Sequence, residues 1–187
     1  IPLRLVGSEM CIRDSSDNEL IEKFQNGDDK AFNKLIQNNL NNVFGFFMKI
    51  TRDEMAAEDL AQDVFMKLYK NLKKFRHDSN FSTYLYRINT NTANSWITRN
   101  KWKNLLHLDQ APDRGEYDQV NEAEWERKEL WESISKLPKK QRKVVILRLT
   151  NSLSFREISN ITGMKEGTAK VNFHHALKKL KEDLIDE

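Results

Sequence analysis

The chain has 187 residues, of which 32% are charged and 39% hydrophobic, with only six Gly and three Pro. That length allows one medium domain or two small ones, and the shortage of breakers favours helices over strands. The single cysteine, Cys11, excludes an internal disulfide and a cysteine-based zinc site, and no apolar run nears the ~18 residues of a membrane span.

Residues 1–15 lack both the apolar core of a signal peptide and a helical period. Their "LRLVGSEMCIRDS" looks like translated adapter or vector sequence, so they are expected to be a non-native leader. Residues 17–26 predict a short helix with Leu20, Ile21 and Phe24 on one face, closed by Gly27. Asp28 or Asp29 is placed to cap a second helix carrying Phe32, Leu35, Ile36, Val43, Phe44 and Phe47 at three-to-four spacing. A third, from about residue 54 to 74, has the stripe Leu60, Ala61, Val64, Phe65, Leu68, Leu72. "RHDSN" then breaks the pattern, because Asp, Ser and Asn compete for backbone hydrogen bonds. A fourth helix over roughly 82–103 is rich in aromatics and amides, with Leu85, Ile88 and Trp96 expected in the core.

Periodicity lapses over 104–122, around Pro112 and Gly115, which predicts a linker between two helical domains. The net charge of +3 is segregated here: nine acids against three bases over 109–132, then six bases and no acid over 136–148. Such separation implies different faces for different partners.

Pro138 suits a first helical turn, and Val144, Val145, Leu147 and Leu149 are expected to form the next core face. Ser154 with Glu157 three residues on predicts a capping box for a helix over 155–162, with Ile158 and Ile161 inward and Gly163 at its end. Met164 is placed to plug the turn. A final helix over 166–181 buries Ala169, Phe173, Ala176, Leu177 and Leu180 and exposes Lys170, Asn172, His174 and Lys178. Short helix, glycine turn and basic second helix together describe a helix-turn-helix, a DNA-reading unit. An ordinary helical hairpin would share the apolar spacing, but here cap, turn and charge agree. Neighbouring His174 and His175 point about 100° apart, so one ion is hard for both to ligate, and no metal site is expected.

"LPKKQRKVVILR" followed by "LSFREISNITGMKEGTAKVNFHHALKKL" is similar to region 4 of the sigma-70 family of transcription initiation factors. The resemblance implies that the last helix enters the major groove of the −35 promoter element, with Thr168, Lys170, Val171, Asn172, His174, His175 and Lys178 contacting DNA. Val171 stands where the family often carries Ser, and Asn172 and His175 where Arg is frequent. Upstream, "AEDLAQDVFMKLYKNLKKF" puts Asp59, Gln62, Asp63 and Met66 on one stripe. It resembles region 2.2, which implies core-polymerase binding by Asp59, Gln62, Asp63 and Phe65. "FRHDSNFSTYLYRINTNTANSWITRNKWK" interleaves rings, amides and bases, a pattern that suits unpaired bases, with at least half of the rings expected in the core instead. It looks like regions 2.3 and 2.4, with Tyr84 for the usual Trp and Asn89 for a small apolar residue. That implies −10 binding by Arg76, His77, Asp78, Ser79, Asn80, Phe81, Tyr84, Arg87 and Asn91.

The expected fold is therefore all-α: residues 16–104 as sigma region 2, 105–122 as linker and 123–187 as sigma region 4, a helix-turn-helix of the winged-helix-like kind. The compact two-region layout resembles the extracytoplasmic-function group. It implies a cytoplasmic protein without catalytic residues, metal or cofactor. Its implied partners are bacterial core RNA polymerase, promoter DNA and an anti-sigma factor, with no membrane insertion. The alternative, a stand-alone helix-turn-helix regulator, would need a palindromic site and leaves the stripe at 59–66 unexplained.

Overall fold

The computed structural model describes residues 6–76, 78–105 and 122–185, with side chains described over 16–76, 78–100 and 129–183. Among them are eight helices and no strand: α1 Val6–Gln25, α2 Asp29–Thr51, α3 Glu54–Leu72, α4 Phe81–Leu105, α5 Glu122–Lys136, α6 Lys139–Asn151, α7 Phe155–Thr162 and α8 Glu166–Ile185. The chain divides into two compact units, residues 1–92 and 93–187, the division falling inside α4. His77 and residues 106–121 of the expected 105–122 linker lie outside the described residues, while Leu105 ends α4 and Glu122 begins α5.

In the first unit α1 begins at Val6, well before the expected start at residue 17. Once the packed turns around Ile21 and Phe24 exist, each further residue adds one hydrogen bond without a new nucleation cost, so the helix extends backwards. Asp28 and Asp53 cap α2 and α3, accepting from the N–H groups of Lys30 and Ala56. Phe24, Phe32 and Tyr69 form a trio with ring centres 4.9–5.4 Å apart, and Lys73 lies over two of them. The Gln25 amide donates to the carbonyls of Leu72 and Phe75, both at 2.9 Å, and ties the end of α3 to α1. Buried Asp17 is held by the amides of Asn38 and Asn39.

In the second unit Ile134, Leu137, Val145, Ala176 and Leu180 pack into one core, with Leu130, Trp131 and Phe173 against it. Pro138 stands just outside α6 at its N-cap position, with no side-chain cap bond, and its carbonyl accepts the Arg142 N–H at 2.9 Å. The Ser154–Glu157 capping box forms as the spacing predicts: the Ser154 N–H donates to the Glu157 carboxylate at 2.7 Å, and the Glu157 N–H to the Ser154 hydroxyl at 3.2 Å. Gly163 ends α7 at φ 74°, a left-handed conformation that a Cβ would strain. Two expected core residues are half exposed instead, Leu149 and Leu177. The last turn of α6 buries Thr150 in place of Leu149, because its hydroxyl donates to the Ile146 carbonyl at 2.7 Å and needs no outside partner. Leu177 lies about 80° around α8 from Ala169, at the margin of the stripe.

Candidate polymerase and promoter interfaces

α3 has two contrasting arcs. Ala57, Leu60, Ala61, Val64, Phe65, Leu68 and Leu72 are buried. On the opposite side Asp59 and Gln62 are exposed and Asp63 half exposed, all sharing an arc with Met55 (76% exposed) and Met66 (57%). Phe65 is only 8% exposed and joins Phe32, Leu35, Leu68 and Phe81 around a niche with no room for water. Its place on the helix is about 100° from Met66, on the edge of the core arc. Met55 was missed by the motif, although its spacing of four, seven and eleven to Asp59, Gln62 and Met66 carries the signal. Two unbranched thioethers beside carboxylates make a face that adapts to an apolar and basic partner. Asp63 pairs with Lys67 at 3.8 Å, and the Lys67 ammonium also donates to the Thr92 hydroxyl at 2.9 Å, linking this helix to α4.

Between α3 and α4, Arg76, Asp78 and Asn80 are exposed and Ser79 is half-buried. Phe81, expected to contact DNA, is 1% exposed and starts α4 inside the core; a ring so enclosed offers no stacking face. Tyr84, Arg87 and Asn91 share one outward arc, at intervals of three and four residues, with Tyr84 half-buried and the other two exposed. The Tyr84 ring packs at 4.9 Å on Phe75, and burial pushes its phenol above the ordinary value. Asn89, Thr90, Thr92 and Asn94 are buried, an unusual run of polar residues for the inner part of a helix. Trp96, expected in the core, is half-buried.

α8 is equally two-sided. Ala169, Ala176 and Leu180 face the core; Lys170, Val171, His174, His175 and Lys178 lie on the opposite arc, all exposed. Thr168 is exposed at its edge. Asn172 is half-buried and departs from the expected row: its amide donates to the Thr168 carbonyl at 2.8 Å and lies 4.0 Å from the Met164 sulfur. In this arrangement it braces the turn. Lys170 is paired with Glu166 at 2.9 Å and Lys178 with Glu182 at 3.8 Å, surface contacts worth about 0–1 kcal/mol that a phosphate could replace. The rings of His174 and His175 are 6.5 Å apart, and no cluster of three or more potential metal ligands occurs among the described residues.

The comparisons with known proteins meet this geometry at both ends. Sigma-70 region 2 matches residues 35–103 and Sigma-70 region 4 matches residues 127–180. The ECF RNA polymerase sigma-E factor of Haemophilus influenzae is 30% identical over 175 residues, covering 86% of this chain and 91% of its relative. The chain belongs to the extracytoplasmic-function sigma factors of the sigma-70 family. Two solved structures share the fold. CnrH in complex with the cytosolic domain of CnrY aligns at a TM-score of 0.60 and 20% identity, covering 92% of this chain and 99% of that one. The sigma factor RpoE of Bartonella quintana, in complex with the anti-sigma factor NepR, aligns at 0.51 and 24%, covering 83% and 97%. In this sigma factor the region 2 match spans the outward arcs of α3 and α4, and the region 4 match spans α6, α7 and the outward arc of α8.

Proposed function

We propose that this sigma factor binds core RNA polymerase through the outward arc of α3, captures unpaired −10 bases with residues 76–80 and the Tyr84–Arg87–Asn91 arc, and reads −35 duplex with α8. One observation carries this reading: a single chain holds, in order, a region 2 match and a region 4 match, each containing an exposed polar arc. Residues 16–104 then serve polymerase and −10 DNA, 105–122 connect, and 123–187 serve the −35 element.

Polymerase docking combines two soft side chains, Met55 and Met66, with the carboxylates Asp59 and Asp63. Capture of the −10 strand is driven by binding, since unstacking a base costs a few kcal/mol and stacking on a ring returns about 1–3. With Phe81 in the core, Tyr84 is the ring that serves, beside Arg87 as cation and the polar groups of Asp78, Ser79 and Asn80. At the other end, the Glu166-first turn of α8 leads its lysines onto phosphate, while Val171 offers an apolar contact and the histidines donors or acceptors to base edges. Bond-making remains with the polymerase; this chain supplies recognition. Its place of work is the cytoplasm, with promoter and polymerase, and no helix among the described residues is long and apolar enough to cross a membrane. An anti-sigma factor is a further partner, as one accompanies the Bartonella quintana relative.

Run-off transcription by core polymerase over a promoter library tests the reading. Transcripts with shared upstream elements should emerge only when this chain is added. Equal transcription without it sinks the proposal.

A further inference from the structure

Arg148 leaves the last turn of α6 and reaches three places at once. Its Nη1 donates a 2.6 Å hydrogen bond to the carbonyl of Leu153, in the turn before α7. Its guanidinium carbon lies 5.1 Å from the ring centre of Phe155, the first residue of α7, and 5.8 Å from that of Phe173 on α8. Those two rings meet edge-on at 5.6 Å. The Arg148 carbonyl also accepts the N–H of Ser152, whose left-handed φ of 51° closes α6. One residue thereby ties the supporting helix, the turn and both helices of the helix-turn-helix.

Such a tie matters because α7 is short. Eight residues with two buried isoleucines cannot fix their own orientation; neighbours must do so. Phe173 lies directly beside His174 and one turn from Lys170, so what seats Phe173 seats the outward arc. Base-edge hydrogen bonds are lost with small displacements, whereas phosphate contacts, carried by long flexible lysines, tolerate them. A residue that seats α8 therefore acts on sequence preference more than on general DNA affinity. Arginine suits this role because its planar fork bonds a carbonyl while lying against rings, which a compact ammonium cannot do.

We propose that Arg148 is a positioning residue for −35 readout, fixing the seat of α8 so that the outward side chains meet base edges in one register. The proposal rests on the reading of α8 as the −35 helix. It is tested with holoenzyme reconstituted from core polymerase and the full chain, on promoters randomised at both the −35 and −10 elements, with the initiating sequences counted. Arg148→Gln should flatten base preference at −35 about tenfold and leave the −10 preference unchanged, with Arg148→Lys intermediate. Ser154→Ala removes the side-chain cap of α7 alone and keeps the Arg148 guanidinium, so it should keep the −35 preference. A wild-type preference in Arg148→Gln, or equal flattening in Ser154→Ala, overturns the proposal. Should Arg148→Gln lose its helical circular dichroism, Arg148→Lys decides, and an unchanged −35 preference there overturns it. If the wild-type chain selects −10 bases but none at −35, the reading of α8 itself fails and takes the proposal with it.

Discussion

At Tyr84, packing against Phe75 lifts the phenol above its ordinary value near 10, because burial disfavours the phenolate. A folded value above the unfolded one means that the stabilisation is complete below about pH 10 and fades as pH rises through the folded value. Unfolding free energy should therefore fall with pH above about 10, and more shallowly in Tyr84→Phe. Equal slopes in urea titrations of the two proteins would show the ring to be as solvated folded as unfolded. Gly163 poses a backbone question instead. At φ 74°, with nothing within 4 Å of a built Cβ, Gly163→Ala meets no clash and suffers only the left-handed penalty. A loss of about 1 kcal/mol is expected in chemical denaturation, with Gly163→Asn milder. A loss far beyond that would mean the turn rearranges.

At the scale of elements, α8 separates an exposed arc from a buried one. Lys178, loosely paired with Glu182, can exchange that contact for a phosphate. Lys178→Ala should then weaken DNA binding uniformly across sequences and lower the slope of log affinity against log salt by about one. An unchanged slope in fluorescence anisotropy assigns the lysine to solvent. Legibility differs between helices for physical reasons. α7 is readable to the residue, because its cap, its two isoleucines and its terminal glycine are all local signals. The acidic arc of α3 is readable from spacing alone. What spacing does not encode is how wide a buried arc is, since the neighbouring helices decide that. Phe65 and Phe81 lie at such margins and belong to the core, while Leu149 and Leu177 lie outside it. Arg148 is invisible in the sequence for the same reason: its partners Phe155 and Phe173 become neighbours only when α6, α7 and α8 assemble.

For the whole molecule, the charge layout points to separable partners. Acids face outward on α3 at one end of the sequence, and lysines and histidines face outward on α8 at the other. If these arcs serve polymerase and duplex DNA respectively, a charge reversal at one should leave the other working. Asp63→Lys places an ammonium where a carboxylate now pairs with Lys67, creating a like-charge contact on the docking face. Like charges set against a complementary partner cost several kcal/mol, so retention on core polymerase should fall by roughly a hundredfold in a co-purification assay. Transcription should fall with it. Binding of the same variant to −35 duplex, followed by anisotropy, should match the wild type. Parallel loss of both activities would assign Asp63 to the stability of the chain. Loss of neither would move polymerase docking off α3 and leave Met55 and Met66 without the partner their exposure calls for.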